Sequence, residues 1–466
     1  MNNHPKSNIK NNKYKIIFYY PASTKENSGT ELLYSPLSLA YLSTHTPNHY
    51  EKELYDEYVG EDLDPETVSA DIVAMSPLTS GINRAYRVAD ILRQRGIICV
   101  IGGAHATAMP EEALDHFDAV FLGEGEQPWI QFLSDFEDNN INQTYFGRMD
   151  VCLDNLGIPD RNMVHQNYHF PAINTSRGCP YNCSFCYLTV YKNRRYRTIP
   201  QEIILKDLEK LREEPVLVVT DENFIGYSHK DHEDRKELLK KMINRKYKFY
   251  WGCQASLNIA DNPELMDLMY RAGCRAVFIG FESTNAEDLK EIRKAHNRNI
   301  DYQKIVQKIH KHKLAVIASC IIGLDNQHNG YHKQLIKDLK RMKVDYVRVF
   351  IMTSWPGTPL NKKLKEEGRL IEDWDRTRKD IPNIHYKNYT HEEIIAAKKA
   401  VMDSFFNFFT IARTILRWVF IERTLITLFI KMYFRNRVSE RIKNKRAIHV
   451  AQQKTNIVPE PVLEEV

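Results

Sequence analysis

The run Ser176-Arg177-Gly178-Cys179-Pro180-Tyr181-Asn182-Cys183-Ser184-Phe185-Cys186 places three thiols within eight residues, in a Cys-x-x-x-Cys-x-x-Cys spacing. Three thiolates are one short of a closed zinc shell, which normally takes four protein ligands as two Cys-x-x-Cys knuckles or as a Cys pair with a His pair. No second knuckle follows this one. A [4Fe-4S] cluster held by only three cysteines leaves one iron open to a small molecule, the arrangement that chemistry requires and electron storage does not. A zinc loop, or three cysteines buried in a core, is the alternative reading of the same residues.

The spacing, with an aromatic residue just before the last cysteine at Phe185, resembles the signature of the radical S-adenosylmethionine (SAM) superfamily. That resemblance implies Cys179, Cys183 and Cys186 as ligands of a [4Fe-4S] cluster. It also implies an open iron that chelates the amino and carboxylate groups of SAM, with Phe185 near the adenine.

Two series of elements must position such a loop. Over residues 14–136, apolar runs at Lys15–Tyr20, Asp71–Ser76, Ile98–Gly102 and Ala119–Leu122 alternate with helix-length segments such as Ile82–Arg95. This predicts an open, doubly wound α/β domain, Rossmann-like, which binds ligands at the carboxyl ends of its strands. Three strand ends carry small residues there: Ser76-Pro77-Leu78-Thr79-Ser80, Gly102-Gly103-Ala104-His105 and Gly123-Glu124-Gly125-Glu126. These ends resemble the cobalamin (B12)-binding domain of the cobalamin-dependent branch of radical SAM enzymes. The resemblance implies Ser76, Leu78, Thr79, Gly102, Gly103, His105, Gly123 and Gly125 as cobalamin contacts. The nearest counterpart of the family's Asp-x-His-x-x-Gly loop is Asp56-Glu57-Tyr58-Val59-Gly60, with Tyr58 where the axial histidine would stand. A neutral phenol is a poor ligand, so a bound cobalamin is expected base-off. A domain that keeps the fold without the cofactor is the alternative, with His105 as an ordinary hydrogen-bonding residue.

Residues 137–168 read as a polar linker, and residues 169–365 as a second α/β series. Strands are expected at Ala172–Asn174, Val216–Thr220, Phe249–Gly252, Ala276–Gly280, Ala315–Ile322 and Tyr346–Ile351, with helices between them. Six such units match the partial (β/α)6 barrel that the radical SAM resemblance implies, with the cysteine loop at the carboxyl-end face. Other strand ends on that face supply Asp221, Ser256, Glu282 and Gly323 as candidate SAM contacts. Glu282 has a competing role as a cap for the helix after Ser283-Thr284-Asn285, and Asp221 as a cap of its own loop. Trp355-Pro356-Gly357-Thr358-Pro359 then marks a turn that closes the barrel region.

The chain has 466 residues, 43% hydrophobic and 27% charged, enough for two or three globular domains. Residues 1–13 and 451–466 read as disordered ends, and residues 366–450 as a helical region. The scattered remaining cysteines and the polar start suggest a cytoplasmic protein, and a net charge of +5 does not imply nucleic acid. Between Val401 and Val450, ten basic residues face three acidic ones around an aromatic stretch running from Phe405 to Phe434. That segment either packs on the barrel or lies peripherally on an anionic membrane.

The resemblance implies an enzyme that reductively cleaves SAM to a 5′-deoxyadenosyl radical and methylates an unactivated carbon of a small-molecule or lipid substrate. Flavodoxin or ferredoxin is the implied electron donor. Radical cyclisation, rearrangement or carbon–carbon coupling without methyl transfer is the alternative within the superfamily. A non-catalytic cobalamin or SAM sensor is the alternative outside it. No catalytic side chain is singled out.

Overall fold

Strands β1 (Tyr14–Tyr20), β2 (Tyr50–Asp56), β3 (Ile72–Met75), β4 (Ile98–Ile101), β5 (Ala119–Leu122) and β6 (Thr144–Phe146) form one sheet in the order β2-β1-β3-β4-β5-β6. The computed structural model describes residues 14–23, 34–192, 195–298, 300–377, 381–407, 412 and 414–416. Every pairing in this sheet is parallel. The central strands are buried on both faces, as a parallel sheet covered by helices requires. Ile16 and Phe18 pack with Trp129 and Phe132 on one side, and Ile17 and Tyr19 with Val88 and Ile101 on the other. This is the expected doubly wound domain, and its strand order reverses between β1 and β3.

Two of its strands differ from the sequence-based expectation. The edge strand β2 reads Tyr-Glu-Lys-Glu-Leu-Tyr-Asp, and an edge strand carries charges that break up any apolar run. Its Glu53 pairs with Lys15 of β1 at 2.8 Å. The other edge strand, β6, is three residues long and lies in the stretch read as linker. It joins the sheet because Tyr145 is buried and stacks on Phe121 with ring centroids 5.2 Å apart.

The second sheet contains β7 (Ala172–Ile173), β10 (Val216–Val219), β11 (Tyr250–Ala255), β12 (Cys274–Glu282), β13 (Ala315–Ile322) and β14 (Tyr346–Ile351). They pair in parallel in sequence order, and β14 does not close onto β7. Helices such as His229–Asn244, Pro263–Arg271 and Tyr302–Lys311 separate them, giving the expected partial (β/α)6 barrel. The short antiparallel pair β8 (Ser176–Arg177) and β9 (Arg197–Thr198) stands apart and brackets the cysteine loop. Two strands run further than expected, so Gln254 and Ala255 lie inside β11 and Phe281 and Glu282 inside β12.

Both sheets belong to one compact unit that runs to Met402, and a second unit begins at Asp403. The expected helical region after residue 366 is irregular at first, with an isolated bridge between Leu370 and Ile384. Here the Tyr386 hydroxyl donates to the Met352 carbonyl and the Asn383 side-chain amide to that of Ser354, so side chains of this segment tie it to backbone carbonyls at the end of β14. A helix follows at His391–Phe405. No helix among the described residues is long and apolar enough to cross a membrane. The stretches read as disordered ends, and residues 417–450 of the basic aromatic segment, lie outside the described residues.

Candidate functional site

The cysteine loop leaves β8 through Gly178, whose φ is +84° and whose missing Cβ would lie 2.2 Å from the Arg195 carbonyl oxygen. Only glycine fits there. Four other elements hold the loop. The Gly178 amide donates to Glu222 at 3.1 Å. The Ser184 amide donates to the Ile292 carbonyl, while the Ser184 carbonyl accepts the Leu360 amide, both at 3.0 Å. Behind the loop, Arg235 is 1% exposed and donates to the Thr175 hydroxyl at 2.8 Å.

All eight cysteines are thiols, with no disulfide. Burial pushes the Cys183 thiol up to about 11 and the Cys186 thiol up to about 12, so bound iron charge is what would hold them as thiolates. Among the described residues, no three His, Cys, Asp or Glu side chains converge closely enough to hold one metal ion.

Beside the loop stand groups suited to a polar ligand. Glu282 is buried, carries a left-handed backbone (φ +62°) and accepts from Lys294 Nζ at 2.8 Å. Such strain in a non-glycine residue concentrates at functional sites. Burial works against the Lys294 ammonium, but the Glu282 carboxylate and then the Cys183 thiol outweigh it and hold its pKa above the ordinary value. Tyr181 stacks on His296 at 3.7 Å, and burial, then Lys294, pulls the imidazole down to about 4. Ser256 accepts from Asn223 at 3.2 Å, and the buried Asn223 Oδ1 has no hydrogen-bond partner. That orphaned acceptor suits a ligand that donates, such as an amino group. Phe185 is half-buried between the last two cysteines.

Two candidate contacts do not join this group. Asp221 has no exposed surface, and its oxygens take the Thr175 amide, the Thr175 hydroxyl and the Ser176 hydroxyl. It therefore positions the loop and neither faces a ligand nor caps its own loop. Gly323 spends its amide on Gln327 at 2.9 Å, and a Cβ there would lie 2.4 Å from Ile394 Cδ1. It is a packing glycine beneath the post-barrel segment. Glu282 does not cap the next helix either, since Asn285 does so by accepting the Glu287 amide.

A cavity of about 320 Å³ opens between the two sheets. Ser76, Gly102, Gly103, Gly123 and Gly125 line it from the first sheet, and Asn174, Thr220, Glu222 and Tyr187 from the barrel. It extends inward past Ala74, Val100 and Phe121 to Trp129. The absence of side chains at the glycines and the depth of the slot fit a large flat cofactor with a tail. Gly123 has φ +89° and meets the Gly147 carbonyl at 2.3 Å from its virtual Cβ, so the strand end cannot take another residue.

Leu78, Thr79 and His105 do not line this cavity. Leu78 is exposed and Thr79 is buried in a short 3-10 turn. His105 is 1% exposed and lies on the other side of the sheet, 3.3 Å from the Tyr86 hydroxyl and edge-on to Trp374. Tyr58 sits in the apolar core. Among the described residues that line the cavity, none is a histidine.

Residues 32–132 match the family model for the B12 binding domain, and residues 173–339 match that of the Radical SAM superfamily. The chain is a radical SAM protein with an N-terminal B12-binding domain. It is 28% identical over 354 residues to the bacteriochlorophyllide d C-12(1)-methyltransferase of Chlorobaculum tepidum, covering 73% of this chain and 76% of that one. To the hopanoid C-2 methylase of Rhodopseudomonas palustris it is 25% identical over 379 residues, covering 79% and 70%. The radical SAM methyltransferase TsrM from Kitasatospora setae, solved with cobalamin and a [4Fe-4S] cluster, shares the fold at a TM-score of 0.63 and 15% identity, covering 84% of this chain and 85% of that one.

Sequence reasoning on this radical SAM protein missed Lys294, His296, Glu222 and Arg177. Lys294 and His296 fall in the run Lys290-Glu291-Ile292-Arg293-Lys294-Ala295-His296, which reads as a solvated helix face. Glu222 directly follows Asp221 in the chain. Burial, then the Asp221 charge, pushes its carboxyl above the ordinary range.

Proposed function

We propose that this chain is a cobalamin-dependent radical SAM C-methyltransferase. One observation carries the reading: a single cavity is walled by the glycine-rich strand ends on one side and by residues flanking the cysteine loop, Gly178 and Leu188, on the other. In this reading Cys179, Cys183 and Cys186 hold the cluster, and Phe185, Ser256 and Glu282 with Lys294 hold SAM. Ser76, Gly102, Gly103, Gly123 and Gly125 hold cobalamin. The bound cofactors supply reductive cleavage of SAM and a transferable methyl group, and the protein supplies geometry and water exclusion. Lys294 offers a cation to the SAM carboxylate, Asn223 an acceptor to its amino group, and the cavity keeps the reacting carbon between two cofactors.

The B12-binding part is taken as residues 14–136, extended by β6, and the radical SAM core as 169–365. The two named methyltransferase relatives act on a bacteriochlorophyllide and a hopanoid, so methyl transfer to carbon is the shared element and the substrate class is a small molecule or lipid. Electron delivery by a flavodoxin or ferredoxin, and peripheral lipid contact through the basic stretch after Val401, complete the proposal. Metabolite extracts from cells with and without the gene test it by mass spectrometry. The reading expects a compound lighter by one methylene to accumulate when the gene is lost. A lost product that lacks the added methylene and differs from its precursor by a ring, a rearranged skeleton or the joining of two larger fragments would replace methylation with the cyclisation, rearrangement or coupling alternative.

A further inference from the structure

Two arginines of the β8–β9 pair reach across to two glutamates that follow β5, Glu124 in the loop and Glu126 at the start of the next helix. Arg177 donates to Glu126 at 2.6 Å and stands 3.5 Å from Glu124. Arg197 grips Glu124 with both terminal nitrogens, at 2.5 and 3.0 Å, and donates once more to the Val151 carbonyl. Arg177 also lies over the Tyr41 ring, 5.1 Å from its centroid. All four charged side chains are at most 17% exposed.

Their places in the chain give the clamp its meaning. Arg177 is two residues before Cys179, while Glu124 lies between Gly123 and Gly125, which line the cavity. The Glu124 carbonyl is itself pinned against Gly147, where a Cβ would lie 1.6 Å from it. One short rigid path therefore runs from the proposed cobalamin face to the proposed cluster loop. A buried ion pair adds little net stability over an apolar pair of similar volume, so simple adhesion between the sheets would not call for four of these side chains. A planar guanidinium on a carboxylate, however, fixes angle as well as distance.

We infer that Arg177 and Arg197, closed on Glu124 and Glu126, are positioning residues that set the separation and tilt between the cobalamin face and the cluster loop. The inference rests on the function proposed above for what those two faces hold. The test uses the full-length protein with spin labels introduced as unnatural amino acids at the exposed positions Phe146, on the first sheet, and Tyr227, after β10. Pulsed EPR should give one narrow distance distribution for the otherwise native chain. Glu124→Gln, and separately the apolar double variant Arg177→Met with Glu126→Leu, should widen it about twofold or more. The double variant should do so while keeping a melting temperature near that of the parent. In holoprotein with reduced cluster and cob(II)alamin, the dipolar coupling between the two paramagnets should broaden in the same variants.

If the variants lose stability but keep the narrow distribution in their folded fraction, the clamp is adhesion and the inference is overturned. If Glu124→Gln does not fold, Arg197→Lys, which keeps the charge and loses the fork, decides the matter by the same width. Label distances that widen in a chain showing no cobalt–cluster coupling even without substitution would uphold the clamp and count against the proposed function.

Discussion

Asp221 accepts the Thr175 amide at 2.7 Å and the Thr175 hydroxyl at 2.5 Å, tying the residue that precedes the cysteine loop to the neighbouring barrel strand. Arg235 stands behind them, 3.9 Å from the same carboxylate and almost fully buried. Asp221→Ala would leave that guanidinium without its carboxylate, a loss that costs about 3 kcal/mol when a buried pair is broken. The urea midpoint should fall accordingly, and iron and sulfide per chain after reconstitution should fall with it. Asp221→Asn still accepts the Thr175 amide and should lose less. A full complement of iron in Asp221→Ala would remove Asp221 from the support of the loop.

Gly280 leaves room for the ion pair beside the thiols, since a Cβ there would lie 2.3 Å from Glu282 Oε1 and 2.7 Å from Lys294 Nζ. Gly280→Ala should therefore displace both charges and weaken SAM binding by roughly tenfold or more, about 1.4 kcal/mol. Cluster content should stay near that of the unsubstituted protein. Equilibrium dialysis with SAM reads the first quantity and iron analysis the second. Unchanged SAM affinity would separate the pair from the ligand site.

Gly102 is open to substitution, because its virtual Cβ makes an ordinary 3.4 Å contact with Phe121. Gly102→Leu should fold yet fill the cavity, raising the Kd for cobalamin at least about tenfold. Tyr58→Phe, by contrast, should leave the base-off spectrum of bound cobalamin unchanged, since Tyr58 lies in the core and does not line the cavity. A spectrum with axial nitrogen from a histidine would overturn this part of the account.

Asp56 caps the turn that carries Tyr58 and accepts the Tyr168 hydroxyl at 2.7 Å. Burial raises its carboxyl from 3.8 to about 6, against the hydrogen bonds that lower it. A raised folded-state pKa gives stability that is complete below the unfolded value and is lost as pH rises through the folded one. The protein should thus lose roughly 2–3 kcal/mol of stability between about pH 4 and pH 6 relative to Asp56→Asn. Chemical unfolding of both proteins across that range checks the sign. Parallel curves would show that Asp56 ionises without cost.

The cysteine loop was legible because three ligands lie within eight residues, so no tertiary information is needed to see them. The six barrel strands were legible because each carries a short, mostly apolar run, such as Val216–Val219 and Ala315–Ile322, set between helix-length segments. Tyr50–Asp56 and Thr144–Phe146 were not, since edge strands mix charge with apolar residues or are too short to show a period. The candidate site was only partly readable for a related reason. Adjacent residues at a strand end point in opposite directions, which sends Asp221 inward to Arg235 and its neighbour Glu222 into the cavity. The direction of His105 depends on the helix that starts at Ala104, and the partnership of Lys294 with Glu282 spans a strand bulge that no local pattern encodes.

The nucleosides released by reduced, cobalamin-loaded, cluster-reconstituted protein test the central claim most directly. Incubated anaerobically with SAM and an extract of cells lacking the gene, the protein should form both 5′-deoxyadenosine and S-adenosylhomocysteine. The variant with Cys179, Cys183 and Cys186 all changed to Ala should form no 5′-deoxyadenosine. 5′-Deoxyadenosine without S-adenosylhomocysteine would contradict methyl transfer, and stoichiometric zinc with neither nucleoside would contradict the account as a whole.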